Sequence, residues 1–312
     1  MHETSGRWRL GALLALTTAL MWGVLPIALK ITLQQMDAVT ITWYRFLLAT
    51  LVLGAFAFRR RRWPRLRQLG LTGWLLLSIA ILGLCGNYLF YLLGLDYVTP
   101  GTAQIVVQLA PVLLLLGALL VFNERFSPLQ WAGLGVFLSG QVLFFNRQLG
   151  EFFAPGNQSQ GIWLVALSAV VWAGYALAQK QLLRTMRSDS ILLCIYIAAV
   201  FIFLPGSDPG QISKVDGLTL MLLAFASINT LIAYGAFAEA LEHLEASRVS
   251  AIIAIAPLLT LVAMVVLGAV LPGFDLEEPL DGLKIGGAVM VVIGSIMAAA
   301  VRAQPVVGRQ GS

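Results

Sequence analysis

The chain is predicted to be an all-α polytopic membrane protein: ten transmembrane helices arranged as two inverted five-helix repeats. Three observations carry this expectation: a composition too apolar for water, ten apolar runs, and a half-chain repeat containing an odd number of runs. Of 312 residues, 59% are hydrophobic and 11% charged, against about 25% charged in an ordinary soluble domain. The mean hydropathy is +0.87. So few polar side chains cannot cover a water-facing surface of this size.

A spanning helix needs about 20 mainly apolar residues, because lipid offers the backbone no hydrogen-bond partner. The first half supplies Leu10–Lys30, Val39–Phe58, Leu69–Leu93, Thr99–Phe122 and Leu129–Phe145. The second half supplies Gly161–Gln181, Ile191–Leu204, Leu218–Leu241, Val249–Leu271 and Leu283–Val301, the fifth and seventh runs being short. Connections between runs are too short to fold as soluble domains. Arg7 and Arg9 precede the first run as they would a signal peptide. Its length and the lack of a small-residue cleavage site predict a retained helix.

Orientation follows from the basic residues of alternate loops. A cytoplasmic N-terminus puts Arg7, Arg9, the arginines from Arg59 to Arg67, Arg125, Lys180, Arg184, Arg187, Arg248, Arg302 and Arg309 inside. Outside are only Lys30, Arg147, Lys214 and Lys284. The split is 15 to 4 of the 20 Lys and Arg, with Arg45 inside a helix, so both termini are expected in the cytoplasm. The run Arg59–Arg62 is then a cytoplasmic anchor, not a nucleic-acid patch, and the pI near 9.5 reports a membrane side.

The halves repeat one another. At an offset of 150, Thr18, Ala19, Trp22, Ala28 and Lys30 meet Ser168, Ala169, Trp172, Ala178 and Lys180. At 146, Tyr88, Gly94, Leu95 and Ala110–Pro111 meet Tyr234, Ala240, Leu241 and Ala256–Pro257; at 154, Gly133 and Gly140 meet Gly287 and Gly294. The units are placed at residues 1–150 and 151–312. Five spans per unit turn the second copy upside down, the inverted repeat of secondary transporters, whose halves exchange conformations around a central site.

Each half resembles an EamA-type unit of the drug/metabolite transporter superfamily. The resemblance rests on Trp near the middle of the first helix, Arg45-Phe46 in the second, and Tyr-x5-Gly/Ala-Leu about fifteen residues before Ala-Pro. Asn123–Arg125 followed by spaced glycines completes it. It runs from about Leu10 to Val301, and it departs where the seventh helix lacks a counterpart of Arg45 and the second unit a counterpart of Glu124. It implies export or import of small organic solutes such as amino acids, sugars and drugs, at the cell inner membrane, with efflux favoured over uptake.

Polar groups within spans are costly unless they face a cavity or a partner. Trp22, with Thr18, Pro26 and Leu29, and Trp172 and Tyr175, with Ser168 and Gln179, form matching helical stripes. Both tryptophans lie at mid-span, where they line a cavity or pack helices. Gln104, Gln108 and Pro111 share one face of the fourth run, and Asn87 and Tyr91 one face of the third. Thr230 and Tyr234 repeat that spacing in the eighth, which also holds Asn229. Tyr88 and Tyr234, as repeat partners, suit a shared structural role. Pro111 and Pro257 suit symmetric hinges. Arg45, near the external end of its run, is expected to snorkel outward or pair with a carboxylate, with attraction of an anionic group as the alternative. Glu239 is the one acid plainly inside an apolar run, but it lies about 140° from Tyr234 at 100° per residue, so proton coupling through it is not expected.

An enzyme is not expected: there is no pair of intramembrane acids, no buried Ser–His pair with His2 and His243 as placed, and no HExxH or phosphate-binding loop. No cofactor or metal is expected either. Cys85 and Cys194 sit in apolar runs, so no disulfide framework is foreseen. The expected partners are a small-molecule solute and the lipid bilayer, with proton coupling and oligomeric state left open and no nucleic acid. A solute channel is the alternative to a carrier. Scarce intramembrane charge argues against highly charged substrates.

Overall fold

The two proline-bearing runs, expected as single spans with a hinge at the proline, are each divided into two helices. The computed structural model describes residues 7–61, 63–64, 66, 69–122, 127–146, 156–244, 246–270 and 281–299, and among these there is helix and turn but no strand. Helices α1 (Trp8–Thr32), α2 (Ala38–Arg59) and α3 (Leu71–Tyr97) follow the first three apolar runs closely. The fourth run is two helices, α4 (Pro100–Val106) and α5 (Leu109–Phe122). Then come α6 (Pro128–Phe144), α7 (Asn157–Leu182), α8 (Ser188–Phe203) and α9 (Gly217–His243). The ninth run is likewise divided into α10 (Ala246–Ile253) and α11 (Ala256–Val270), and α12 (Gly282–Ala299) ends the described chain. His243, expected just past a helix end, is the last residue of α9. Asn123–Arg125, Arg62, Arg65, Arg67, Arg147, Arg302, Arg309 and His2 lie outside the described residues.

The breaks have a chemical cause. Pro111 and Pro257 have no N–H to donate one turn back, and their rings crowd that turn. Side chains compensate: Gln141 Nε2 donates to Ile105 O at 2.8 Å and Gln108 Nε2 to Ala254 O at 2.7 Å. Elsewhere the helices start where the sequence supplies caps. Asp37 accepts from the Val39 and Thr40 amides, Asp216 from Thr219, and Thr99 from Thr102. Ser127 and Gln130 form a capping box ahead of α6. At the far end of α3, the Lys30 ammonium donates to Leu95 O and Asp96 O at 2.9 and 2.7 Å, meeting carbonyls that lack a helical partner.

Six stretches (α1, α2, α3, α7, α9, and α8 extended to Gly206) are long and apolar enough to cross a membrane, and shorter apolar helices accompany them. Leu13, Leu16, Leu20 and Val24 stand exposed along one face of α1, and Val262, Val265 and Val266 along α11. Apolar faces of that extent suit hydrocarbon, not water. The chain is a multi-pass membrane protein.

Packing is reciprocal. Helix α1 lies along α9 and α3 along α7, while α2 meets α8 and α6 meets α12. By the offsets of the repeat, α7 corresponds to α1 and α9 to α3, so the first two pairings are copies of each other. Association in lipid relies on close van der Waals approach, and glycine permits it between α6 and α12. A Cβ on Gly140 would sit 2.6 Å from Val291 N, and one on Gly287 2.5 Å from Phe144 N.

Candidate functional site

At the centre of the bundle, α1, α2, α3, α7 and α9 meet the two broken runs around a cavity with about 690 Å3 of empty space, its mouth included. Aromatic rings form one end. Trp22 lies 5.9 Å from Trp172, 5.2 Å from Tyr234 and 5.7 Å from Phe237 between ring centres, and Trp172 lies 5.2 Å from Phe237. From there the space follows α1 through Leu25 and Pro26 to Leu29, and α3 from Asn87 to Leu92. It is therefore displaced toward the side of the bundle that holds the α1–α2 connection.

That side is tied together by polar contacts between loops. Gln35 Nε2 donates to Asp216 at 2.8 Å and Gln211 Nε2 to Asp37 at 2.7 Å. Both carboxyls lie below the usual carboxylate range. Partial burial raises that of Asp37, but hydrogen bonds from Thr40, Gln211 and Val39 outweigh it. For Asp216 the Thr219 amide contributes most, followed by the Gln35 side chain.

Most of the residues singled out in the sequence meet here. Trp22, Arg45, Asn87, Tyr91, Gln104, Gln108, Pro111, Trp172 and Tyr234 all line the cavity. Their polar atoms also brace the walls. Tyr234 Oη donates to Asn87 Oδ1 at 3.1 Å while Asn87 Nδ2 donates to Ser168 O at 3.2 Å. Tyr91 Oη and Gln104 Nε2 make longer contacts of 3.4 Å, to Gln104 Oε1 and Trp22 O.

Other expectations differ from the structure. Tyr175 does not line the cavity: it is 0% exposed within the packed core, where Gly83 lets α3 lie directly against it. Arg45 neither snorkels nor pairs with an acid among the described residues. It is 2% exposed, donates through Nε to Thr230 Oγ1 at 3.0 Å, and holds its Cζ 4.3 Å from the centre of the Tyr88 ring. Its helix face turns inward, so the outward route is closed. Pro257 stands outside the lining although Pro111 belongs to it. Glu239 is away from the cavity at the far end of α9, its side chain 45% exposed, 3.5 Å from His243 and 3.3 Å from Ser188 Oγ.

The sequence reading missed Ile253, Ala256, Val107 and Ala110, and gave Tyr88 a structural role although it lines the cavity. At 146 the first two correspond to Val107 and Ala110, so the repeat links the four, but apolar side chains within apolar runs gave no signal for any of them. Repeat partners in fact touch at the centre. Trp22 meets Trp172, Tyr88 meets Tyr234 at 5.4 Å, and Gln108 bonds Ala254, its own counterpart. The polar wall belongs to the first half. Asn87, Tyr91 and Gln108 have Ala233, Phe237 and Ala254 opposite them. Helices α2 and α8 start at Ala38 and Ser188, 188 − 38 = 150 apart, which pairs Arg45 with Ile195.

A model of the EamA-like transporter family matches residues 9–146 and again residues 159–300. The chain is 39% identical over 292 residues to an uncharacterized inner membrane transporter, YhbE, of Escherichia coli K12, covering 93% of this chain and 91% of that one. It is 24% identical over 295 residues to a probable amino-acid metabolite efflux pump of Salmonella typhimurium, covering 90% and 92%. A solved crystal structure superposes with a TM-score of 0.67 at 22% identity, covering 92% of this chain and 96% of that chain. At that identity the likeness is one of fold.

Proposed function

We propose, from the premise that this chain belongs to the EamA-like transporter family, that it is a secondary transporter which carries a small organic solute across the inner membrane by alternating access. It is a transporter and not an enzyme. In this reading residues 1–150 and 151–312 are five-helix units of opposite orientation, both termini are cytoplasmic, and the direction is export. The basic-residue bias of the loops supports the orientation. The names of the Escherichia coli and Salmonella relatives support the membrane and the direction.

The observation that carries the mechanism is the contact of repeat partners at one end of an off-centre cavity. In this reading Trp22–Trp172 and Tyr88–Tyr234 meet across a pseudo-two-fold axis, and residues beyond these contacts differ between the two copies. Leu25, Pro26 and Leu29 of α1 line the cavity, whereas their α7 counterparts Tyr175, Ala176 and Gln179 are not among its lining residues. Exchange of the two conformations would open the α7 side to the cytoplasm and close the α1 side. The breaks before Pro111 and Pro257 are where α4–α5 and α10–α11 bend. The cavity's aromatic and amide walls suit a modest solute with an apolar body.

Counterflow in proteoliposomes tests the reading against a channel. A carrier loaded with unlabelled solute accelerates entry of labelled solute above the empty-vesicle rate. Equal rates with loaded and empty vesicles, for a solute that the protein moves, would establish a channel.

A further inference from the structure

One charge stands in the cavity wall, and nothing beside it neutralises that charge. No Asp or Glu lines the space. The Nε–H of Arg45 is engaged by Thr230, whose own hydroxyl donates to Ala226 O at 3.0 Å, and the guanidinium face rests on Tyr88. These contacts hold one edge and one face. The Nη groups make no hydrogen bond to a described residue. An arginine is a fixed charge with a planar fork of donors that matches a carboxylate, and an unpaired charge inside a membrane bundle is costly. A neutral amide could serve Thr230 equally well, so the structural contacts do not explain the charge.

Resting on the carrier reading, we infer that Arg45 receives the carboxylate of the transported solute, and that the substrates are monocarboxylates with an apolar body. The body lies along Trp22, Leu25, Pro26 and Tyr91. The amino-terminal turn of α5, which contributes Ala110 and Pro111 to the wall with Gln108 just ahead of it, adds the positive end of a helix dipole. The class is narrow on both sides. Ile195 stands at the position equivalent to Arg45, so a second carboxylate would find no second cation. An amine would meet the guanidinium with no acid to hold it. Organic cations and dicarboxylates are therefore excluded, and an amino acid binds through its carboxylate.

The test uses the full-length purified protein and three probes of one shape: phenylpropionate, phenylpropanol and phenylpropylamine, titrated calorimetrically. The acid is expected to bind about tenfold or more tightly than the other two. Arg45→Gln should bring it level with the alcohol. Arg45→Lys, which keeps the charge but loses the fork, should retain part of the preference. The comparison in the unaltered protein stands even if a variant fails to fold. Equal binding of acid and alcohol, preference for the amine, or no binding of the acid overturns the inference. Counterflow separates the two readings. Exchange of an amine without acid preference leaves the carrier standing and removes the Arg45 role. Arg45-dependent acid binding without exchange supports the site and removes the carrier.

Discussion

Gln179 on α7 is fully buried, and neither its amide nor Tyr175 Oη one turn away makes a well-formed hydrogen bond to a described residue, the two having only a weak contact with each other. Leaving a buried polar group unsatisfied costs about 1–3 kcal/mol. If Gln179 is satisfied only when the α7 side opens, that cost falls on the present conformation alone. Gln179→Leu removes both polar atoms, keeps nearly the same volume, and installs the residue found at the equivalent Leu29. It should stabilise the present conformation by roughly 1–3 kcal/mol, a shift of about 5- to 150-fold in the conformational equilibrium. Thermal unfolding in detergent should move to higher temperature, and counterflow should slow because the opposite conformation becomes rare. A lower unfolding temperature, or counterflow at the unaltered rate, would refute the reasoning and return Gln179 to simple packing.

Gly140→Ala should cost about 1–3 kcal/mol of stability, since its Cβ would fall 2.6 Å from Val291 N and 2.8 Å from Gly287 O. Gly135→Ala on the same helix, with nothing within 4 Å, should melt like the unaltered protein, and equal melting of both variants would show that α6 and α12 are not tightly apposed. In a background with Cys85 and Cys194 replaced by Ser, a membrane-impermeant thiol label should reach Ser213→Cys only from outside the cell and Arg187→Cys only from the cytoplasm. Labelling of both from one side would overturn the assigned orientation. Glu239→Gln should leave intact any response of transport to an imposed pH gradient, because the carboxylate is half exposed and outside the cavity. Loss of that response with counterflow preserved would make Glu239 the proton carrier.

The polar residues of the cavity were legible to different degrees. Asn87, Tyr91, Gln104 and Gln108 stood out because an amide or hydroxyl within an apolar run has few places to go in lipid. Trp22 and Trp172 stood out through the repeat. The same logic misplaced Tyr175, because repeat equivalence says which residues are related and not which copy is open. Arg45 was misjudged from its distance to the helix end. What holds it inward is Thr230, 185 residues away in sequence, and no local pattern announces such a partner.

Hydropathy accumulates along a chain, so the apolar runs, the repeat and the membrane environment were determined by the sequence alone. Which face of each run turns inward was not. Helices that are apolar nearly all round carry little amphipathic signal, and their facing is decided by packing between helices distant in the chain. The glycines of α6 and α12 set one such approach, and Gly83 sets another between α3 and α7. Tertiary structure alone decided that the cavity lies on the α1 side of the aromatic cluster and that Arg45 faces it. Each of these depends on contacts between the two halves, where a small change of register exchanges a lining residue for a buried one.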